Sequence, residues 1–255
     1  MMRRSAGPAA LAAVLLTATL AGAQPPAGGA QGAPQAAPPP PANLHVLPKD
    51  IARPQLLQTM QAFAAALGVE CSHCHVREGA GGRNDMASDE KQPKKTARAM
   101  MLLVADINAK IPAAAAKTAD AAVKVECMTC HRGVAIPKAL GDILTETTAA
   151  SGMPAAVAKY RELRTKYNGA MAYDFSDAGL IALANRIAMA KPDDALQWLE
   201  LNVEFNPKSA RSHLAMAQIL NRKGDKAAAI THAEAALAIE PDNAMAKMLL
   251  ENLKK

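Results

Sequence analysis

The peptide C-x-x-C-H occurs twice, as Cys71-Ser72-His73-Cys74-His75 and as Cys127-Met128-Thr129-Cys130-His131, and these two peptides contain all four cysteines. Two thiols at that spacing can add across the vinyl groups of a haem, and the adjacent histidine supplies an axial nitrogen to its iron. The residues point to two covalently attached c-type haems. Cys71, Cys74, Cys127 and Cys130 would hold the porphyrins, and His75 and His131 the metals. Chemistry of this kind moves single electrons.

Other uses of paired cysteines fit less well. A structural disulfide leaves the histidine after each pair unexplained. A zinc ribbon places roughly 15–20 residues between its two C-x-x-C pairs, and the gap from Cys74 to Cys127 is far longer. A thioredoxin-like pair belongs beside a βαβ pattern, and strand signals are almost absent from this chain.

The elements around these peptides read as helices. Pro54 suits the first turn of a helix. Leu56, Leu57, Met60, Phe63, Ala64 and Leu67 recur at helical spacing, and Gly68 ends the run. Residues 77–91 read as a Gly-rich, charged loop. Pro93 opens a second helix with Ala97, Met100, Met101, Val104 and Ile107 on one face, and Pro112 is expected to end it. Met60 and Met100 are candidate sixth ligands. From spacing alone a methionine on an apolar helix face also serves as core filler, and the chain has 13 of them. Met86 and His45 are rival donors, whereas His73 is a variable position inside its motif.

The segments "NLHVLPKDI", "TMQAFAAALGVECSHCHV", "ASDEKQPKKTARAMM" and "VKVECMTCHRGVAIP" resemble the cytochrome subunit of photosynthetic reaction centres and its non-photosynthetic relatives. The resemblance covers residues 43–138. It implies that a methionine-bearing helix precedes each haem peptide, with Met60 and Met100 as the axial sulfurs. That subunit carries four haems and usually a lipidated N-terminal cysteine. Two haem motifs and no such cysteine fit a smaller soluble relative.

Residues 1–23 read as a secretory signal peptide: Arg3 and Arg4, an apolar stretch from Ala9 to Leu20, then Ala21-Gly22-Ala23. The apolar stretch is too short to span a bilayer, and no later segment qualifies, so the expectation is an exported, periplasmic protein. Residues 24–42 are a Pro/Ala-rich linker. The formal charge is +6. Residues 43–141 carry 13 Lys and Arg against 9 Asp and Glu, and residues 142–255 are neutral. No basic run is interleaved with aromatics, which argues against nucleic acid.

The C-terminal region has an internal period of 34 residues: Ala195 and Ala229, and Pro207 and Pro241, stand that far apart. Residues 210–243 are similar to a tetratricopeptide repeat, with Gly224 at the turn, and residues 176–209 follow more loosely. A leading helix over 153–167 and a capping helix over 244–253 would complete the stack. The expected fold is all-α: a dihaem cytochrome c domain of short helices and loops over 43–140, then tetratricopeptide-like repeats over 150–255.

The leading functional expectation is a periplasmic dihaem electron carrier, not an enzyme, working between redox partner proteins, one of them docked on the repeats. A dihaem peroxidase with one open iron is the runner-up. A haem sensor or adaptor, in which the repeats bind the partner, is a third reading.

Overall fold

The computed structural model describes residues 40–77 and 84–255. The segment read as a signal peptide, most of the segment read as a linker and the Gly-rich segment 78–83 lie outside the described residues.

Helix α1 (Arg53–Leu67) starts with Pro54 in its first turn and closes at Gly68 in the left-handed conformation. Glycine accepts that conformation without a Cβ penalty. The first C-x-x-C-H peptide follows, with a 3₁₀ turn over Cys71–His73. Two-residue strands β1 (Val76–Arg77) and β2 (Asn84–Asp85) pair antiparallel inside the segment expected to be a loop.

Helix α2 (Gln92–Ala114) carries Pro93 in its first turn and continues two residues beyond Pro112. A proline removes a helical N–H and crowds the carbonyl four residues back. At Pro112 this falls in the closing turns, so the helix frays shortly afterwards instead of stopping there. Helix α3 (Cys127–His131) is the second C-x-x-C-H peptide.

Helix α4 (Leu140–Tyr167) breaks at Gly152, which has φ 82°. Its second half matches the helix expected over 153–167. Its first half was not anticipated, and it supplies Leu140 and Leu144 to the C-terminal core.

Five helices follow: α5 (Asp177–Ile187), α6 (Pro192–Phe205), α7 (Ala210–Lys223), α8 (Lys226–Ile239) and α9 (Ala244–Lys254). Each packs on the next in sequence, α5 touches α7, and α7 touches α9. Connections this short make neighbours antiparallel. The starts of α6 and α8, and of α7 and α9, lie 34 residues apart. Gly224 caps α7 in the left-handed region, and the Asp225 carboxylate accepts the Ala228 N–H to start α8.

Tyr160, Leu180, Trp198, Leu199 and Ile219 are buried at the centre of this stack. The Asn202 side chain, fully buried, donates to the Asp177 carbonyl (2.9 Å) and to Ser212 Oγ (2.7 Å), tying α5, α6 and α7 together. The described positions before Leu140 differ in kind. Among the described residues, the buried apolar side chains before Leu140 are only Ala66 and Val134.

Candidate haem-attachment site

The second haem peptide folds as a helix for a local reason. The Glu126 side chain accepts the Thr129 N–H, and Thr129 Oγ1 accepts the Glu126 N–H (3.0 Å), a reciprocal cap. Cys127, Cys130 and His131 are thereby set on one short turn. At its end Arg132 and Gly133 both take positive φ, which turns the chain back. His131 Nδ1 donates to the Val134 carbonyl (3.0 Å). That bond selects the tautomer whose Nε2 carries a lone pair, the arrangement in which an iron-ligating histidine is held.

The approach to this peptide is clamped from α2. Asn108 Nδ2 donates to the Val125 carbonyl (2.8 Å), and the Val125 N–H donates to Asn108 Oδ1 (2.7 Å). The amide acts as a strand partner for the residue two before Cys127. Sequence reasoning had not singled out Asn108, because a lone asparagine on a helix face carries no spacing signal.

The first haem peptide is held by charge. Lys91 Nζ donates to the Ser72 carbonyl, inside the Cys71–Cys74 loop. Lys94 is buried, and its ammonium donates to the carbonyls of Met86 (2.9 Å), Ala87 (3.0 Å) and Ser88 (2.7 Å). It also faces Asp89 at 3.2 Å. Arg98 donates to Asp89 (2.8 Å) and to the Asn43 carbonyl (3.0 Å). These bonds from Arg98 lead the interactions that hold the Asp89 carboxyl well below the usual carboxylate range.

His75 is half-buried, and its Nδ1 is buried with no hydrogen-bond partner. Burial first, and then the Lys94 charge, push its pKa down against the opposing pull of the Met86 backbone and Asp85, which favours the neutral imidazole that metal ligation requires. All four cysteines are free thiols. Burial raises the Cys74 thiol pKa, with Lys91 opposing, and burial raises that of Cys127. Among the described residues no group of three or more His, Cys, Asp or Glu side chains converges into a metal cage. The two C-x-x-C pairs therefore do not share one zinc-like site.

The other sequence candidates fall as follows. Met60 on α1 and Met100 on α2 are both half-buried, on stripes with Leu56, Phe63, Ala64 and Leu67, and with Ala97, Val104 and Ile107. Met101 is half-buried as well, so burial does not separate it from Met100. Met86 is exposed. His45 is exposed and bonded through Nε2 to Asn43 Oδ1 (2.5 Å). His213 and His232 pair with each other on α7 and α8.

The donor set fits covalent haem. Each thiol pair is followed by an imidazole, one imidazole is already oriented through Nδ1, and both flanking helices present apolar stripes that a large planar group can cover. This combination on an all-α scaffold defines a c-type cytochrome. The model of the photosynthetic reaction centre cytochrome c subunit family matches residues 15–177, nearly two thirds of the chain, and the chain belongs to that family. The match reaches beyond the segments of resemblance to the start of α5. The family's members carry electrons, with covalent haem and redox partners as its implications. No curated protein matches the chain. No helix among the described residues is long and apolar enough to cross a membrane.

Proposed function

We propose that the protein is a periplasmic dihaem cytochrome that relays single electrons between protein partners. Thioether links at Cys71 and Cys74, and at Cys127 and Cys130, hold the two haems. His75 and His131 are the proximal ligands, and Met60 and Met100 the sixth. When bound, each haem supplies an iron that cycles between ferric and ferrous states.

The chain's own residues do the rest. His131 is aimed by the Val134 carbonyl. The neutral state of His75 is favoured by burial and by Lys94. The apolar stripes on α1 and α2 would exclude water from a bound porphyrin. Met60 and Met100, if they hold the irons, would raise the potential and block small molecules, as suits a carrier more than a peroxidase. The helices α5 to α9, read as tetratricopeptide-like repeats, offer a surface for one partner.

The observation that carries this reading is the His131 Nδ1 bond to Val134, which leaves Nε2 as a free donor beside two thiols. The test is the optical spectrum and haem stoichiometry of the exported protein. Two covalent haems with a full-strength thioether-to-ferric-iron band are expected. A half-strength band with high-spin features would overturn the two-methionine assignment in favour of an open iron, and no covalent haem would overturn the reading as a whole.

A further inference from the structure

Two ligating side chains meet far from the C-x-x-C-H peptides. His213 on α7 and His232 on α8 are both half-buried, and their Nδ1 atoms stand 3.1 Å apart. The pair is peculiar to the second repeat. One period of 34 residues earlier, the same two positions hold Gly179 and Trp198. Trp198 is buried in the core, so the first repeat fills this slot with one indole and no facing side chain. The second repeat places two imidazoles there, and partly buried ring nitrogens need partners. Each Nδ1 has found the other.

Two imidazole nitrogens on neighbouring helices are also a pair of metal donors. On one ion, at about 2.0–2.1 Å each, two nitrogens stand about 2.9 Å apart at a right angle and about 3.3 Å apart at the tetrahedral angle. The observed 3.1 Å lies between these. Without an ion, one ring donates its Nδ1 proton to the lone pair of the other. To bind at both Nδ1 atoms, that proton moves to Nε2 of its own ring. Each ring also turns about its Cβ–Cγ bond, so that the two lone pairs converge. No proton leaves the neutral pair, and no electron is transferred.

We propose that His213 and His232 form a binding site for a divalent transition-metal ion, which bridges α7 and α8 through both Nδ1 atoms. Imidazole suits copper(II), nickel(II) and zinc(II), with copper(II) held most tightly, whereas magnesium and calcium take oxygen ligands. Among the described residues no third His, Cys, Asp or Glu joins the pair, so water completes the coordination. Glu234, two residues further along α8, is bonded instead to Lys254 of α9 (3.0 Å). Arg211, two residues before His213, faces Asp177 at 3.8 Å. The bridge fastens the two helices of the second repeat to each other, and it does not depend on the haem reading.

The test is thermal unfolding of the full chain with added nickel(II) or zinc(II), with magnesium(II) as the control. An ion that binds only the folded state raises the unfolding midpoint as its concentration rises. The wild type should show that rise with nickel(II) and zinc(II) and none with magnesium(II). His213→Gln and His232→Gln should each lose most of it. Equal rises in the wild type and both variants would place the metal elsewhere, at the remaining histidines or at unoccupied thiols, and overturn the site. No rise in the wild type would overturn it as well.

A second measurement on the wild type alone decides the matter should the variants fail to fold. In the zinc(II)-loaded protein, nitrogen NMR of the histidines should show His213 and His232 both ligated through Nδ1 and protonated at Nε2. Ligation through one ring only, or through Nε2, would overturn the bridge.

Discussion

A Cβ placed on Gly68 would stand 2.0 Å from the carbonyl oxygen of Gly133. Gly68 lies three residues before Cys71, and Gly133 two residues after His131. The Gly133 N–H donates to the Ala66 carbonyl (2.9 Å). The backbone entering the first C-x-x-C-H peptide therefore abuts the backbone leaving the second. That junction fixes one peptide against the other.

Gly68→Ala should be costly on two counts, a left-handed φ of 63° and the clash with Gly133. Together these amount to about 3 kcal/mol. Gly133→Ala has a left-handed φ of 88° but open space around its Cβ, so it should cost only about 1 kcal/mol. Urea unfolding of the two variants checks this. Equal losses would mean that the junction is not the cause.

Asn108→Leu removes both bonds to Val125. At about 1 kcal/mol per bond the expected loss is roughly 2 kcal/mol. The disturbance should be confined to the second site. Resonance Raman or paramagnetic NMR should show one haem altered and the other unchanged, and equal changes in both haems would count against a local clamp.

The proposed sulfur ligands can be separated by substitution. Met60→Ala and Met100→Ala should each remove half of the thioether-to-iron band. Met101→Ala should leave it intact, although Met101 is as half-buried as its neighbour. The converse result, loss with Met101→Ala and retention with Met100→Ala, would reassign the ligand.

His213 and His232 meet through their Nδ1 atoms at 3.1 Å. The ring centroids are 5.4 Å apart, so the rings meet edge to edge, nitrogen to nitrogen, and one must donate while the other accepts. Burial lowers both pKa values, and each His213 or His232 proton is thus bound less tightly in the folded state than in the unfolded one. The unfolded chain binds more protons as pH falls below about 6.5. The stabilisation is complete above that pH and is lost progressively below it. Replacing His232 with Gln should flatten the dependence of the unfolding midpoint between roughly pH 6.5 and 5. A slope unchanged by the substitution would place the titration elsewhere.

Much of the architecture was legible in the chain. The thiol spacing and its histidines are contiguous in sequence, so no fold is needed to read them. Gly68 and Gly224 as left-handed caps, and Pro54 and Pro93 in first turns, are local backbone effects that act over one helical turn. The period of 34 survives as the spacing of helix starts because each repeat buries its face against the next. Tertiary structure alone decided the rest. Gly68 meets Gly133, Asn108 meets Val125, and His213 meets His232 across stretches of chain that contain no compensating pattern. The burial of Lys94 belongs with these: a lysine is rarely buried, and only the fold turns three carbonyls toward its ammonium. Short-range sterics and periodicity are written along the sequence, whereas contacts closed by packing depend on which surfaces the whole chain brings together.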